Sequence, residues 1–188
     1  MRLVYGVGVN DKPGYHKTKE YKLWAGLIRR CYSEELHRKR PSYIGCEVSQ
    51  NFKSFSCFYD WCQNQIGFKN SKWEIDKDVV FKGNKIYSED TCFFVPPEIN
   101  NLLNHHKAKR GIHPIGVYFE KKYSKFRAEV SVNGKKKFLG YYDSSIEAFI
   151  VYKQAREEYI KSIAENWKDK IDMRVYFGLM NYKIHIND

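Results

Sequence analysis

Apolar positions along this chain follow two different periods, and the change from one to the other divides it. Within residues 18–36, Trp24, Leu27, Ile28 and Cys31 fall at i, i+3, i+4 and i+7, which is one face of an amphipathic helix, with Arg29 and Arg30 beside it. Residues 51–65 predict a second helix whose apolar side is Phe52, Phe55, Phe58, Tyr59 and Cys62. Between them, Arg38-Lys39-Arg40-Pro41 reads as a loop, and residues 43–48 as a short strand with Gly45 in a turn. Residues 73–80 alternate and then run apolar, so they predict a strand with Asp76 and Asp78 on one face and Lys77 on the other. Lys82-Gly83-Asn84-Lys85 is a turn by composition, and residues 92–95 predict another strand. Pro97 then opens a helix running to Leu103.

Beyond residue 115 the period becomes two. Phe126, Ala128, Val130 and Val132 share one strand face, and Lys125, Arg127, Glu129 and Ser131 the other. Asn133-Gly134 is a strong two-residue hairpin turn, and the strand after it carries Lys135, Lys136 and Lys137. Ser144 or Ser145 can cap the next helix, which has Glu147 in its first turn and faces the sheet with Ala148, Val151, Tyr152 and Ala155. Trp167, Ile171, Val175 and Leu179 recur every four residues and predict a helical tail. The expected class is therefore α+β. An N-terminal helical region with a strand–turn–strand–helix core occupies 1–106, a basic linker 107–114, and a three-stranded antiparallel sheet packed on one helix, with the tail, 115–188.

Composition narrows the partner. The 188 residues are 43% hydrophobic, enough for real cores, which excludes wholesale disorder. Net charge is +11, and between Lys107 and Lys137 there are ten Lys or Arg against two Glu. Charge concentrated in one segment points to a polyanionic partner. Cys31, Cys46, Cys57, Cys62 and Cys92 form no C-x-x-C pair, so no zinc finger is expected, and their odd number suits a reducing cytoplasm. No apolar run reaches the length of a membrane span.

A basic ribbon of two or three strands fits the DNA major groove, with lysines neutralising phosphates, Arg127 donating to a guanine edge and Glu129 accepting from a cytosine amino group. The other reading of Glu129 is an ion pair with Arg or Lys across a solvated face. Gly116-Val117, the F-R-A-E-V run, the L-G-Y-Y run and the S-x-E-A helix start resemble the plant ethylene-response-factor (Apetala-type) DNA-binding domain. The resemblance implies contacts to double-stranded DNA from Tyr118, Lys125, Arg127, Glu129, Lys136 and Phe138. Lys121, Lys122, Lys135 and Lys137 extend that basic surface. Tyr118 stands where the plant domains carry Arg, Glu120 replaces a basic residue, and Phe126 and Phe138 replace Trp, so sequence preference does not transfer.

The segment WEIDKDVVFKGNKIYSEDTCFFVPPEINNLL, with the upstream W-x-x-L-I-R-R-C-Y and Y-x-G-C-x-V segments, resembles the HNH endonucleases common in phage genomes. That resemblance implies a ββα-metal core in which Asp76 and Asn100, with Asn101 adjacent, hold a divalent magnesium or manganese ion. Asp76, Asp78 and Asn100 become the catalytic candidates. The family's general-base His falls at Lys77 and its loop-fixing Asn at about Thr91. Two readings follow. One is a homing-type endonuclease acting in a host cytoplasm, with Asp76 and Asp78 both binding the metal or with water activated by His105 or His106. The other is a catalytically inactive DNA-binding regulator or recruitment factor on a lapsed core, with Lys77 on a phosphate.

Overall fold

The computed structural model of the chain describes residues 3–103 and 112–188. Helix α1 (Lys19–Tyr32) begins where the Thr18 hydroxyl accepts the Tyr21 N–H, and it buries Trp24, Leu27, Ile28 and Cys31 as the periodicity requires. It stops four residues short of the expected end. The Ser33 side chain accepts from Leu36 N and starts a separate short helix, α2 (Glu34–Lys39). The second expected helix is divided in the same way. A 3-10 turn at Asn51–Lys53 precedes Ser54, which caps α3 (Phe55–Gln63). Trp24, Phe52, Phe55 and Phe58 are fully buried together, and the Trp24 indole donates to the Phe52 carbonyl at 2.8 Å.

The strands of this region are short. β1 (Glu47–Val48) pairs in parallel with β3 (Ile86–Tyr87), a pairing with no counterpart in the sequence pattern. β2 (Glu74–Asp76) pairs antiparallel with β4 (Phe93–Val95), and α4 (Pro97–Leu102) follows. The strand expected to reach Val80 ends at Asp76.

In the C-terminal part, β5 (Val117–Glu120), β6 (Lys125–Val132) and β7 (Lys135–Tyr142) form the three-stranded antiparallel sheet in the order β5-β6-β7. Asn133 and Gly134 take φ of 51° and 73°, so the hairpin closes through the two left-handed residues this turn needs. Helix α5 (Ser145–Trp167) opens with a complete capping box between Ser144 and Glu147. It packs on all three strands, burying Ala148, Phe149 and Tyr152, while Val151 and Ala155 are only half-buried. Gly116 (φ +75°) makes this approach possible, because a Cβ there would stand 2.1 Å from the Tyr152 ring. The four-residue spacing from Trp167 to Leu179 does not mark one helix. α5 ends at Trp167, a turn follows, and α6 (Met173–Met180) begins afresh.

The described residues group into two compact units. The first runs through Asn100 and includes Lys170–Val175; the second comprises Asn101–Asp169 and Tyr176–Asp188. All five cysteines are free. Among the described residues no helix is long and apolar enough to cross a membrane.

Candidate nucleic-acid interface

One face of the β5–β7 sheet is covered by α5; among the described residues the other is open. The register places Tyr118 and Glu120 of β5, Lys125, Arg127, Glu129 and Ser131 of β6, and Lys136 and Phe138 of β7 on the open face. A bulge between Ala128 and Glu129 lets Tyr141 lie opposite Arg127 and Phe138 opposite Glu129, so both β7 rings reach this face. Phe138 and Tyr141 have centroids 5.0 Å apart, and Tyr141 is 5.0 Å from Tyr123 in the β5–β6 turn. The three rings form a continuous exposed row.

The polar middle of the face is paired with itself. Arg127 lies 3.2 Å from Glu129 and 3.8 Å from Glu120, and its guanidinium stands 5.7 Å from the Tyr118 ring centroid. Lys136 also reaches Glu129, at 3.6 Å, and Lys125 reaches Asp143, at 2.9 Å. Glu129 therefore makes the cross-face ion pairs that were one of its two expected roles. Arg127 Nε is buried with no hydrogen-bond partner among the described residues.

The excess charge lies at the ends. Lys121 and Lys122 are exposed in the β5–β6 turn, and Lys135 and Lys137 are exposed beside the β6–β7 turn, on the opposite alternation from Lys136. None of these four forms an ion pair among the described residues. The two lysine groups flank β6, about 25 Å of chain at roughly 3.3 Å per residue.

The Asp76 region is built differently. Asp76 Oδ1 accepts the backbone N–H groups of Asp78 and Val79, both at 2.7 Å, and this local turn ends β2. Burial raises the Asp76 pKa; the Asp78 N–H opposes the rise and the nearby Asp78 carboxylate adds to it. The strand therefore ends at Asp76, while Lys77 still lies on the buried side and Asp76 and Asp78 on the outer one. Lys77 points inward and is 7% exposed, its ammonium 2.6 Å from Asp78, hydrogen-bonded to the Asn84 carbonyl and 5.5 Å from the Tyr87 ring centroid. Asp78, on the same outward alternation as Asp76, is engaged with Lys77.

Asn84 is the residue the sequence reading missed. Its amide donates to the carbonyls of Lys77 (3.0 Å) and Ile86 (2.7 Å) and accepts from Ile86 N (3.0 Å), pinning the loop between β2 and β3. The only signal was its place in a turn-rich run. Thr91, at the family's loop-fixing position, ties the following turn by donating to the Ile86 carbonyl and accepting from Ser88 N.

Asn100 meets Glu74, whose carboxylate accepts from its amide, and Glu74 shares a face of β2 with Asp76. Among the described residues no group of three His, Cys, Asp or Glu is arranged to hold a metal ion. Glu74, the second oxygen of Asp76 and the Asn100 amide oxygen are nevertheless of the oxygen type that magnesium and manganese take. His105, His106 and most of the linker lie outside the described residues.

Comparison with family models, with curated proteins and with solved structures gives no match.

Proposed function

We propose that the chain is a double-stranded DNA-binding protein that inserts the open face of β5–β7 into the major groove. The observation that carries this is the distribution of charge: a self-paired, aromatic middle between exposed lysines at both ends of β6. The major groove is about 12 Å wide and phosphates line its walls. A ribbon about twice that length reaches both walls with its ends while its middle lies over base edges. The test is duplex binding by the full chain as a function of salt. Four lysine–phosphate contacts correspond to a log–log slope of about −3.6. No binding to duplex DNA, or a slope unchanged when Lys121, Lys122, Lys135 and Lys137 are all replaced by Ala, would overturn the proposal.

A second reading, metal-dependent hydrolysis of the bound DNA, is favoured by Asn100 meeting Glu74, which shares a face of β2 with Asp76. A divalent ion held there would neutralise charge on a scissile phosphate. Lys77 is not the water-activating group in this reading, since its ammonium is buried against Asp78. Conversion of supercoiled plasmid in magnesium or manganese, absent with chelator and absent in Asp76→Ala, supports it. Tight binding without conversion leaves a DNA-binding regulator or recruitment factor.

A further inference from the structure

We infer that Phe138, Tyr141 and Tyr123 recognise the C5-methyl groups of pyrimidines in the major groove, so that the protein favours thymine-rich duplexes. This rests on the DNA-binding reading above and deepens it. Direct readout by hydrogen bonds asks for free donors and acceptors on the face, yet Arg127 already serves Glu129 and Glu120, Lys136 serves Glu129, and Lys125 serves Asp143. A base edge would compete with those pairs. The surface left over is aromatic, with apolar ring faces and edges: Phe138 is 51% exposed, Tyr123 49% and Tyr141 39%. Exposed apolar surface gathered in one place on a sheet marks a binding face. The major groove offers one apolar group, the thymine methyl, which cytosine acquires only when methylated.

The geometry suits a duplex better than unstacked bases. Two centroid steps of 5.0 Å each carry the row across about three base-pair steps of 3.4 Å. The ring planes are tilted by 56° and 59° to one another, so neighbouring rings present edges and partly cover each other's faces. A platform for single-stranded bases needs open ring faces. Edges in a row suit a line of methyl groups. The resemblance noted above places a contact at Phe138 alone; Tyr141 joins it through the bulge and Tyr123 through the β5–β6 turn.

The experiment uses the full chain and four duplex probes: alternating poly(dA-dT), the same polymer with deoxyuridine for thymidine, alternating poly(dG-dC), and its 5-methylcytosine form. Pairing and phosphate charge are the same within each pair; only the methyl differs. Burial of one methyl corresponds to roughly fourfold in affinity. The expected result is about tenfold weaker binding to the uridine duplex and a comparable gain on cytosine methylation. Phe138→Ala and Tyr141→Ala, both at exposed sites, should bring the thymidine duplex down to the uridine level and remove the methyl dependence. Equal binding of wild type to methylated and unmethylated duplexes overturns the inference and leaves DNA binding standing. Preference for single-stranded poly(dT) over every duplex overturns it in favour of base stacking. No binding to any duplex overturns the reading on which it rests.

Discussion

The Asp76–Asp78 corner and the Glu120–Arg127–Glu129 group use the same materials, a basic side chain among carboxylates on a small sheet, and arrive at different states. At the corner, one Asp76 oxygen is occupied by two backbone N–H groups, and the Lys77 ammonium sits between Asp78 and the Asn84 carbonyl, away from solvent. On the open sheet, Arg127 and Lys136 share Glu129 within reach of any ligand that covers the face. Closure onto the chain's own backbone makes the first arrangement a structural clamp. In the second, the exposed Lys136 is free to exchange partners. Residue type alone does not separate the two; what each group faces does.

Removing the platform beneath the sheet face should have the most severe effect. Gly116→Ala adds a strained left-handed Ala and drives its Cβ into the Tyr152 ring. A stability loss of about 2–4 kcal/mol for the second unit is expected, seen as an early transition in denaturant unfolding together with loss of DNA binding. An unshifted transition would mean that α5 does not need this close approach.

The clamp is tested next. Lys77→Ala should cost about 2–4 kcal/mol, because it opens a cavity and removes the cation held by Asp78 and Asn84. Lys77→Met keeps the volume, and Asp78 is exposed enough to be solvated, so most of that loss should be recovered. If Lys77→Met kept full stability but abolished plasmid cleavage, Lys77 would be chemical and not structural, and the contrast drawn here would collapse.

Asp76 adds a pH dependence of known sign. Its folded pKa lies above the ordinary carboxylate value because burial disfavours the charge. The stability it contributes is therefore fully present below the ordinary Asp range and is lost as pH rises through the raised pKa. Asp76→Asn keeps an acceptor for the Asp78 and Val79 N–H groups and cannot ionise. It should flatten that part of the stability–pH curve and leave the protein no less stable at neutral pH. A marked loss at neutral pH would show that the ionised form is needed structurally.

What could be read from the residues, and what could not, follows the range of the interactions. The α1 face, the Asn133-Gly134 turn and the Ser144–Glu147 box depend on neighbours within a few positions, and each stands where the pattern put it. The Asp76 turn was hidden because residues that continue the in–out alternation also form the side-chain turn that ends β2. Parallel pairing of Glu47–Val48 with Ile86–Tyr87 joins segments far apart in sequence and too short to show a period. The aromatic row was hidden by parity. Phe138 and Tyr141 are three apart, so simple alternation assigns them to opposite faces, and only the bulge brings them together.

The exposed group can be sharpened by removing its internal acid. Glu129→Gln releases Arg127 and Lys136 from their shared partner, so both become available to phosphates. Affinity for duplexes of any sequence should rise several-fold at low salt, with the log–log salt slope steeper by about 1 to 2. A fall in affinity across all sequences would mean that Glu129 holds Arg127 in the geometry that binding needs.

The finest distinction lies within the lysine triplet of β7. Lys135 and Lys137 are exposed without ion pairs among the described residues, whereas Lys136, between them, reaches Glu129. A cation already paired inside the protein gives up that pair on meeting a phosphate, so its net gain is smaller. Lys135→Ala with Lys137→Ala should flatten the salt slope by about 1.8, while Lys136→Ala alone should change it by well under 0.9. Equal effects per lysine would show that the Glu129 pair dissolves on binding at no cost. The open face would then act as a uniform basic surface, without the neutral, aromatic middle that separates it from an ordinary charged ribbon.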